Sequence, residues 1–167
     1  MQEYSSKMTS INVLKKPAVY QMIKTEMIRQ KTKNKREEPI VVDYGCGRQE
    51  HKLEGCRVVG YDPYWQSPEQ NKEALELIEN KKADLIICSN VLCVIKEDEI
   101  VKTIVEAIEQ SGTGFLFKIY EGNKTGVGAK SKSDCWQRNE RTKDYLRFFK
   151  TCPQIKKNII TNVPELL

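Results

Sequence analysis

The chain has 167 residues and a formal net charge of +5, with 39% hydrophobic and 31% charged residues. This length predicts one domain with a core of ordinary size, and the charge permits nucleic-acid binding without requiring it. No apolar run nears the ~18–20 residues of a membrane span, and the first ten residues lack a signal-peptide core, so we expect a cytoplasmic protein without membrane partners.

The first predicted element is a helix over about residues 17–31, because Pro17 suits the first turn of a helix. Its predicted apolar face comprises Val19, Met22, Ile23, Met27 and Ile28. The helix precedes the first strand and should cover the ligand pocket. Lys15, Lys16 and Tyr20 either face that pocket or only shield the sheet. The charged run over 30–38 indicates a solvated connector.

Two short strands follow, and each ends in a carboxylate. Residues 40–42 are apolar and β-branched, which is typical of a doubly buried strand in a parallel sheet, and Asp43 ends this strand. Gly45 and Gly47 then predict a tight turn that a ligand can approach closely. The second strand ends in Asp62, 19 positions after Asp43. This spacing is typical of the acidic residue that binds a ribose in a doubly wound sheet.

The carboxylate of Asp43 narrows the choice of nucleotide. A dinucleotide pyrophosphate binds backbone N–H groups, and a neighbouring carboxylate would repel it. The third glycine of the dinucleotide pattern is also absent, because Glu50 takes its place. S-adenosylmethionine carries a sulfonium and an ammonium group and no phosphate. The residues therefore favour S-adenosylmethionine over NAD as the cofactor.

Two connections of the predicted sheet are short. Residues 48–57 are too few and too polar for a long crossover helix. Roughly twenty residues separate the second strand from the next one, over 84–88, so a strand between them would be short or missing. Ser67 and Pro68 predict the start of a helix in this connection. Its predicted buried residues are Ala74, Leu75, Leu77 and Ile78.

Side chains after the strand ends are candidate ligand contacts. Tyr64 and Trp65 follow the second strand and would either stack on an adenine or anchor their loop. Ser89 and Asn90 end the next strand, at the sheet edge where ligands collect. Asn90 would bind substrate or cofactor through its amide.

The last third predicts a helix, a strand and a long loop. Glu97, Asp98 and Glu99 suit a helix N-terminus, and the chain over 114–120 reads as a strand. The helix core stripe comprises Ile100, Val101, Ile104, Val105 and Ile108. Residues 121–136 are rich in glycine and lysine, as functional lids often are.

The chain after this loop is predicted to form one more helix and strand. Asn139 would cap the helix, and residues 155–161 would form an antiparallel edge strand. The apolar side of the helix comprises Tyr145, Leu146, Phe148 and Phe149. Trp136 would either seat the loop or, with cations nearby, recognise a planar or anionic substrate. Its companions are Gln137, Arg138 and Lys132.

These motifs resemble class I S-adenosylmethionine-dependent methyltransferases. The first motif is matched by Asp43-Tyr44-Gly45-Cys46-Gly47, the second by Val59-Gly60-Tyr61-Asp62-Pro63, and the fourth strand and its turn by residues 83–95. With a fifth strand over 113–120, the resemblance covers roughly residues 38–120. It is greatest to small bacterial and phage methyltransferase-like proteins of poorly defined substrate, some of which accompany DNA-modification gene clusters. The family often has a glycine where Gln49 stands.

The resemblance implies a single domain over 1–167 with an α/β, Rossmann-like, doubly wound and mostly parallel sheet, trimmed by a short first crossover and third strand. It implies methyl transfer from S-adenosylmethionine to an unidentified acceptor. The implied cofactor-binding residues are Asp43, Tyr44, Gly45, Cys46, Gly47, Asp62, Pro63, Ser89 and Asn90. The implied catalytic residues are Asn90, Trp136 and Gln137.

Three alternatives stay open at this point. The chain would be a non-catalytic methyltransferase-like module that binds a protein or nucleic acid, an NAD-dependent oxidoreductase, or a nucleic-acid methyltransferase. The Asn/Asp-Pro-Pro-aromatic motif of adenine-amino methyltransferases is missing at Ser89-Asn90-Val91-Leu92. The six cysteines form no Cys-x-x-Cys pair, and His51 has no ligand-like spacing to them, so we expect no metal and reduced thiols. Cys88 and Cys93 should pack as small apolar residues.

Overall fold

Eight strands and three α-helices lie in residues 2–9, 17–34, 38–48, 51–131 and 135–167, which the computed structural model describes. The helices are α1 (Ala18–Asn34), α2 (Pro68–Glu79) and α3 (Asp98–Gln110). The strands are β1 (Ile40–Tyr44), β2 (Arg57–Tyr61), β3 (Leu85–Ser89), β4 (Gly114–Lys118), β5 (Ala129–Lys130), β6 (Trp136–Gln137), β7 (Gln154–Lys156) and β8 (Ile159–Thr161). None of the described helices combines the length and the apolar character that crossing a membrane requires.

The main sheet has six strands in the order β2-β1-β3-β4-β8-β7. The first four are parallel, with Val42 of β1 opposite Val59 of β2 and Ile86 of β3. β8 is antiparallel to β4 and to β7. The predicted antiparallel strand over 155–161 is therefore a hairpin, because the chain turns at Lys157, where φ is 53°. Its second strand lies inside the sheet, so the edge position predicted for it is wrong.

Helices cover both faces of this sheet, which makes the molecule a single α/β domain with a mostly parallel sheet. Alternate strand residues point to opposite faces, as pleated strands require. On one face Val42, Ile86 and Phe115 pack with α2 and α3. On the other face Val41 and Leu116 pack with α1. The strands that carry the predicted site are thereby fixed from both sides.

The connections confirm the predicted trimming. Residues 45–48 and 51–56 contain no helix, while Gln49 and Glu50 lie outside the described residues. β2 leads through α2 directly to β3, so no further strand lies in this connection. The Oγ of Ser67 accepts a hydrogen bond from Gln70 N at 3.2 Å, which confirms the predicted cap. Leu75 is 37% exposed, so its predicted burial is wrong.

Two helix predictions need correction. On α1, Tyr20 is buried with Val19, Ile23 and Met27, whereas Met22 is 37% exposed. Near the end of the chain a 3-10 helix over Thr142–Phe148 replaces the predicted final helix.

Asn139 does not cap this 3-10 helix. Its Oδ1 accepts a hydrogen bond from Asn123 N at 3.3 Å, and its Nδ2 donates to Val127 O at 3.1 Å. Arg141 precedes the helix instead, and its N–H donates to Asp144 Oδ2 at 3.0 Å. Asn139 therefore organises the preceding loop, and Leu146 is 36% exposed instead of lying on an apolar side.

Candidate functional site

A cavity of about 390 Å³ lies at the carboxyl ends of β1, β2 and β3. Ligands of open α/β sheets collect at this edge, and small-molecule sites occupy ~300–1,000 Å³. Every residue predicted to bind the cofactor lines the cavity, namely Asp43, Tyr44, Gly45, Cys46, Gly47, Asp62, Pro63, Ser89 and Asn90. The fold thus brings three separate stretches of sequence together around one space.

Asp62 joins the end of β2 to the glycine turn after β1. It is 8% exposed, its Oδ2 accepts a hydrogen bond from Gly47 N at 3.0 Å, and its Oδ1 accepts one from Tyr64 N at 2.9 Å. Asn71 of α2 holds the backbone of Asp62, accepting from its N–H at 2.9 Å and donating to its O at 3.1 Å. Each carboxylate oxygen has a second lone pair. The side chain can therefore accept from ligand hydroxyl groups without releasing the turn.

Asp43, at the end of β1, is 3% exposed. Tyr20 of α1 donates its hydroxyl to Asp43 Oδ2 at 2.7 Å, and its ring packs edge-on against His51 with centroids 5.4 Å apart. His51 lines the cavity, a position that the sequence did not indicate. Of the two alternatives left open for Tyr20, the structure shows a buried residue that contacts Asp43 but does not line the cavity, whereas Lys15 and Lys16 lie outside the described residues.

The turn after β1 lies directly against the turn after β3. Gly45 N and Cys46 N both donate to Tyr61 O, at 2.7 and 3.1 Å. Gly45 has a φ of 83°, and a Cβ placed on it would lie 2.2 Å from Val91 Cγ2. Only glycine fits this conformation and this contact without strain. The glycine predicted from the motif therefore serves close packing of two cavity walls.

Asn90 presents an unsatisfied acceptor at the cavity. Its backbone has a φ of 61° and its N–H donates to Lys118 O at 2.7 Å, which fixes the residue at the end of β3. Its Oδ1 is buried and has no hydrogen-bond partner among the described residues, and Asn90 is one of the residues that line the cavity. A buried acceptor of this kind costs free energy until a donor reaches it. A ligand N–H or O–H group would supply that donor.

The rest of the cavity wall is largely apolar. The rings of Tyr44 and Tyr61 lie 4.5 Å apart, and burial, with Tyr61 nearby, raises the pKa of Tyr44 far above its ordinary value. Tyr44 therefore stays neutral. Apolar lining comes from the turn after β3 and from α3, through Val91, Val94, Ile95, Ile100 and Ile104. Apolar walls with a few convergent polar groups are typical of small-molecule sites.

Residues 2–9, here named the strap, lie against the loop that follows β2. Tyr64 donates its hydroxyl to Gln2 Oε1 at 3.1 Å, and Trp65 Nε1 donates to Lys7 O at 3.1 Å. Strap residues that line the cavity are Gln2, Ser6 and Thr9. Tyr64 lines the cavity as well, whereas Trp65 does not. Trp65 therefore anchors the strap. This segment could not be predicted from the sequence, because its polar residues form no motif.

The strap also contacts β6 and the residues that precede α3. Tyr4 stacks on Trp136 with centroids 5.1 Å apart and an interplanar angle of 27°. Lys96 Nζ lies 5.2 Å from the same Trp136 ring and pairs with the carboxylate of Glu3. Gln137 Nε2 donates to Tyr120 O at 3.2 Å. Trp136 and Gln137, both predicted to be catalytic, thus lie outside the cavity lining.

Arg138 is buried and connects two parts of the fold. It is 5% exposed, its Nη1 donates to Ile95 O at 2.9 Å and Lys96 O at 3.0 Å, and its Nη2 contacts the carboxylate of Asp98. These contacts attach β6 to the start of α3. A substrate-facing role for Arg138 is therefore wrong, and Lys132 lies outside the described residues.

Cys88 and Cys93 pack in the hydrophobic core. Burial raises the pKa of the Cys93 thiol to about 11 and that of Cys88 well above its ordinary value, so both stay neutral in the core, as predicted. Cys46 is the cysteine that lines the cavity. Within the described ranges, no group of three or more His, Cys, Asp or Glu residues could hold a metal ion.

No family model, no curated protein and no solved structure matches this chain. The geometry of the cavity is therefore the basis on which a function can be proposed.

Proposed function

We propose that this chain binds S-adenosylmethionine and transfers its methyl group to an acceptor. The observation that carries the proposal is a pair of buried carboxylates, Asp43 and Asp62, at the ends of adjacent parallel strands in one cavity. The turn between them contains Gly45, which packs directly on Val91. A pyrophosphate at the glycine turn would meet the carboxylate of Asp43, which argues against NAD.

The residues present fit the proposed cofactor. Asp43 supplies negative charge for the cationic methionine half, and Asp62 has lone pairs available for the ribose hydroxyls. Asn90 Oδ1 supplies an acceptor for an N–H or O–H group. The apolar wall from Val94 to Ile104 suits an uncharged ring system.

Methyl transfer from a sulfonium requires the protein mainly to orient the two reactants. S-adenosylmethionine supplies an electrophilic methyl group on its sulfonium. The chain's own residues bind and align the reactants, an effect that alone accounts for large rate enhancements. Asn90 is the one predicted catalytic residue that lines the cavity, and we assign to it a hydrogen bond to the acceptor or to the cofactor.

The strand arrangement supports the same proposal. Four parallel strands with helices on both faces, extended by the antiparallel hairpin of β7 and β8, suit a trimmed Rossmann-like, doubly wound sheet. In such sheets the turn after the first strand and the acidic end of the second bind the nucleotide, and Gly45 and Asp62 occupy these positions.

A binding module without methyl transfer is the second candidate. It is favoured by the position of Trp136 and Gln137 outside the cavity lining, since these were the expected acceptor-side residues. It differs from the enzyme in one measurable property. Both bind the cofactor, but only the enzyme releases S-adenosylhomocysteine when an acceptor is present.

Calorimetry with S-adenosylmethionine, S-adenosylhomocysteine and NAD tests the proposal. We expect binding of the first two and none of NAD. Asp62→Ala should weaken binding by about 1.5–3 kcal/mol, because charge-assisted hydrogen bonds are lost. Asp84→Ala is the matched control: its Oδ2 accepts from Ile40 N at 2.9 Å, at the far end of β3, so its loss should lower stability but not affinity.

Transfer itself is tested with a radiolabelled methyl group. The acceptors offered should include small molecules, proteins, RNA and DNA, the nucleic acids at two salt concentrations, because phosphate contacts make binding salt-dependent. Lys124, in the loop after β4, and Lys130 of β5 are exposed, which is why nucleic acids are included. Binding of NAD instead of S-adenosylmethionine would refute the proposal, and cofactor binding without label transfer would favour the binding module.

A further inference from the structure

Gln2 is a cavity-lining residue with an unsatisfied side-chain donor. Its Oε1 accepts the hydroxyl hydrogen of Tyr64 at 3.1 Å, which leaves its amide nitrogen for another partner. That nitrogen, Nε2, is buried and has no hydrogen-bond partner in the part of the chain that the structure describes. Gln2 lines the cavity. A buried amide N–H without an acceptor is costly, so a partner that supplies an acceptor would bind here favourably.

The strap that carries Gln2 is attached on both sides of the cavity. On the β2 side, Trp65 donates to Lys7 O, next to the cavity-lining Ser6. On the α3 side, Tyr4 stacks on Trp136, and Lys96 pairs with Glu3. Aromatic stacking reinforced by a nearby ammonium group holds a segment in a defined place. The position of Gln2 therefore depends on contacts made outside the cavity.

We propose that Gln2 Nε2 donates a hydrogen bond to the bound ligand and that the Tyr4–Trp136 stack is the latch that keeps it in position. This inference rests on the proposed function. Tyr64 fixes Gln2, and the N–H of Tyr64 in turn donates to Asp62 Oδ1 at 2.9 Å. Gln2 therefore belongs to the Asp62 side of the site, and the group it contacts is an acceptor atom in the adenosine half of the cofactor.

Trp136 receives a new role from this arrangement. It is a positioning residue that acts through Tyr4 on Gln2 and does not contact the acceptor. The strap forms part of the cavity wall, and we expect its displacement to open a path for ligand release. Loss of the latch should therefore accelerate release of the ligand.

Affinity for S-adenosylhomocysteine tests the role of Gln2. Gln2→Ala should bind it about tenfold more weakly, the effect of one lost hydrogen bond of ordinary strength. Gln2→Glu keeps the size but replaces the donor by an acceptor, so it should lose at least as much. Gln110→Ala, an exposed glutamine at the end of α3, is the matched control and should bind like the wild type. Affinities of Gln2→Ala and Gln2→Glu within twofold of the wild type would overturn the proposal.

Dissociation rates measured by stopped flow test the latch. Tyr4→Ala should release S-adenosylhomocysteine several-fold faster, whereas Tyr4→Phe, which keeps the stacked ring, should behave as the wild type. Tyr120→Ala removes a tyrosine that is 59% exposed and serves as the control. Equal rates for Tyr4→Ala and wild type would refute the latch. A wild-type chain that binds neither cofactor form refutes the proposed function and this inference together, whereas wild-type binding with unaffected Gln2 and Tyr4 variants refutes only this inference.

Discussion

Gly45 is the residue whose replacement tests the architecture of the site most directly. An alanine there would adopt a φ of 83° and place its Cβ 2.2 Å from Val91 Cγ2. The left-handed conformation costs an L-residue about 1–2 kcal/mol, and overpacking costs about 1–3 kcal/mol more. The alanine also lowers the conformational entropy of the unfolded chain, and this effect offsets about 0.4–1 kcal/mol of the two costs. We expect Gly45→Ala to lower the free energy of unfolding by about 2–4 kcal/mol.

Gly55→Ala is the matched control because it separates the two costs. Gly55 has a similar φ of 74°, but a Cβ there would meet nothing within 4 Å. It should therefore lose only about 0.5–1 kcal/mol, from the conformational cost alone. Val91→Ala, combined with Gly45→Ala, removes the obstructing methyl group and should recover about 1–2 kcal/mol as a coupling energy.

Urea unfolding of the wild type, the two glycine variants, Val91→Ala alone and the double variant measures these differences, provided that the dependence of the unfolding free energy on urea concentration has the same slope in all of them. If Gly45→Ala costs no more than Gly55→Ala, the turn after β1 is not packed on Val91. The cavity wall would then differ from the one described. A large Gly45→Ala effect with no coupling to Val91→Ala would instead place the obstruction elsewhere in the turn.

Two further predictions concern charge. Calorimetry should show that Asp43→Asn binds S-adenosylmethionine about tenfold more weakly than the wild type. The melting temperature of the ligand-free variant should change little. If the variant binds both S-adenosylmethionine and NAD with unchanged affinity, the argument from the charge of Asp43 is contradicted. Hydrogen bonding from Thr142 N and contact with Lys124 lower the pKa of Glu121 to about 2. Its ionised form therefore stabilises the fold above pH ~4.5, and Glu121→Gln should cost about 1–2 kcal/mol there, a difference that disappears as the pH falls towards 2. Unfolding curves at several pH values would show a constant difference if this reasoning is wrong.

Local patterns made the strand ends predictable. The apolar run before Asp43, the glycine turn and the capped start of α2 at Ser67 are each encoded within a few residues, and the structure contains all three. Asn139 was misread because asparagine favours both helix caps and left-handed turns. Its φ of 58° and its contacts with the loop belong to the second role.

The strap was not predictable for a different reason. Gln2 and Tyr64 are separated by 62 positions, and Tyr4 and Trp136 by more than twice that distance. Neither pair has a spacing that a local pattern could reveal. Trp136 was predicted to lie on the acceptor side, and its contact with Tyr4 was not anticipated. The sequence pattern of an aromatic residue beside a cationic loop is the same whether the ring binds a substrate or a segment of its own chain.

The pair of carboxylates also allows the ligand's own charge to be tested. S-adenosylmethionine and S-adenosylhomocysteine share the ammonium group and the ribose, but only the former carries a sulfonium. If Asp43 faces the sulfonium, Asp43→Asn should weaken the first ligand more than the second, and the ratio of their affinities should change. If Asp43 faces the shared ammonium group, both affinities should fall equally. Asp62 binds two backbone N–H groups and would meet only the shared ribose, so Asp62→Ala should leave the ratio constant. The two variants together therefore locate the cationic end of the ligand in the cavity.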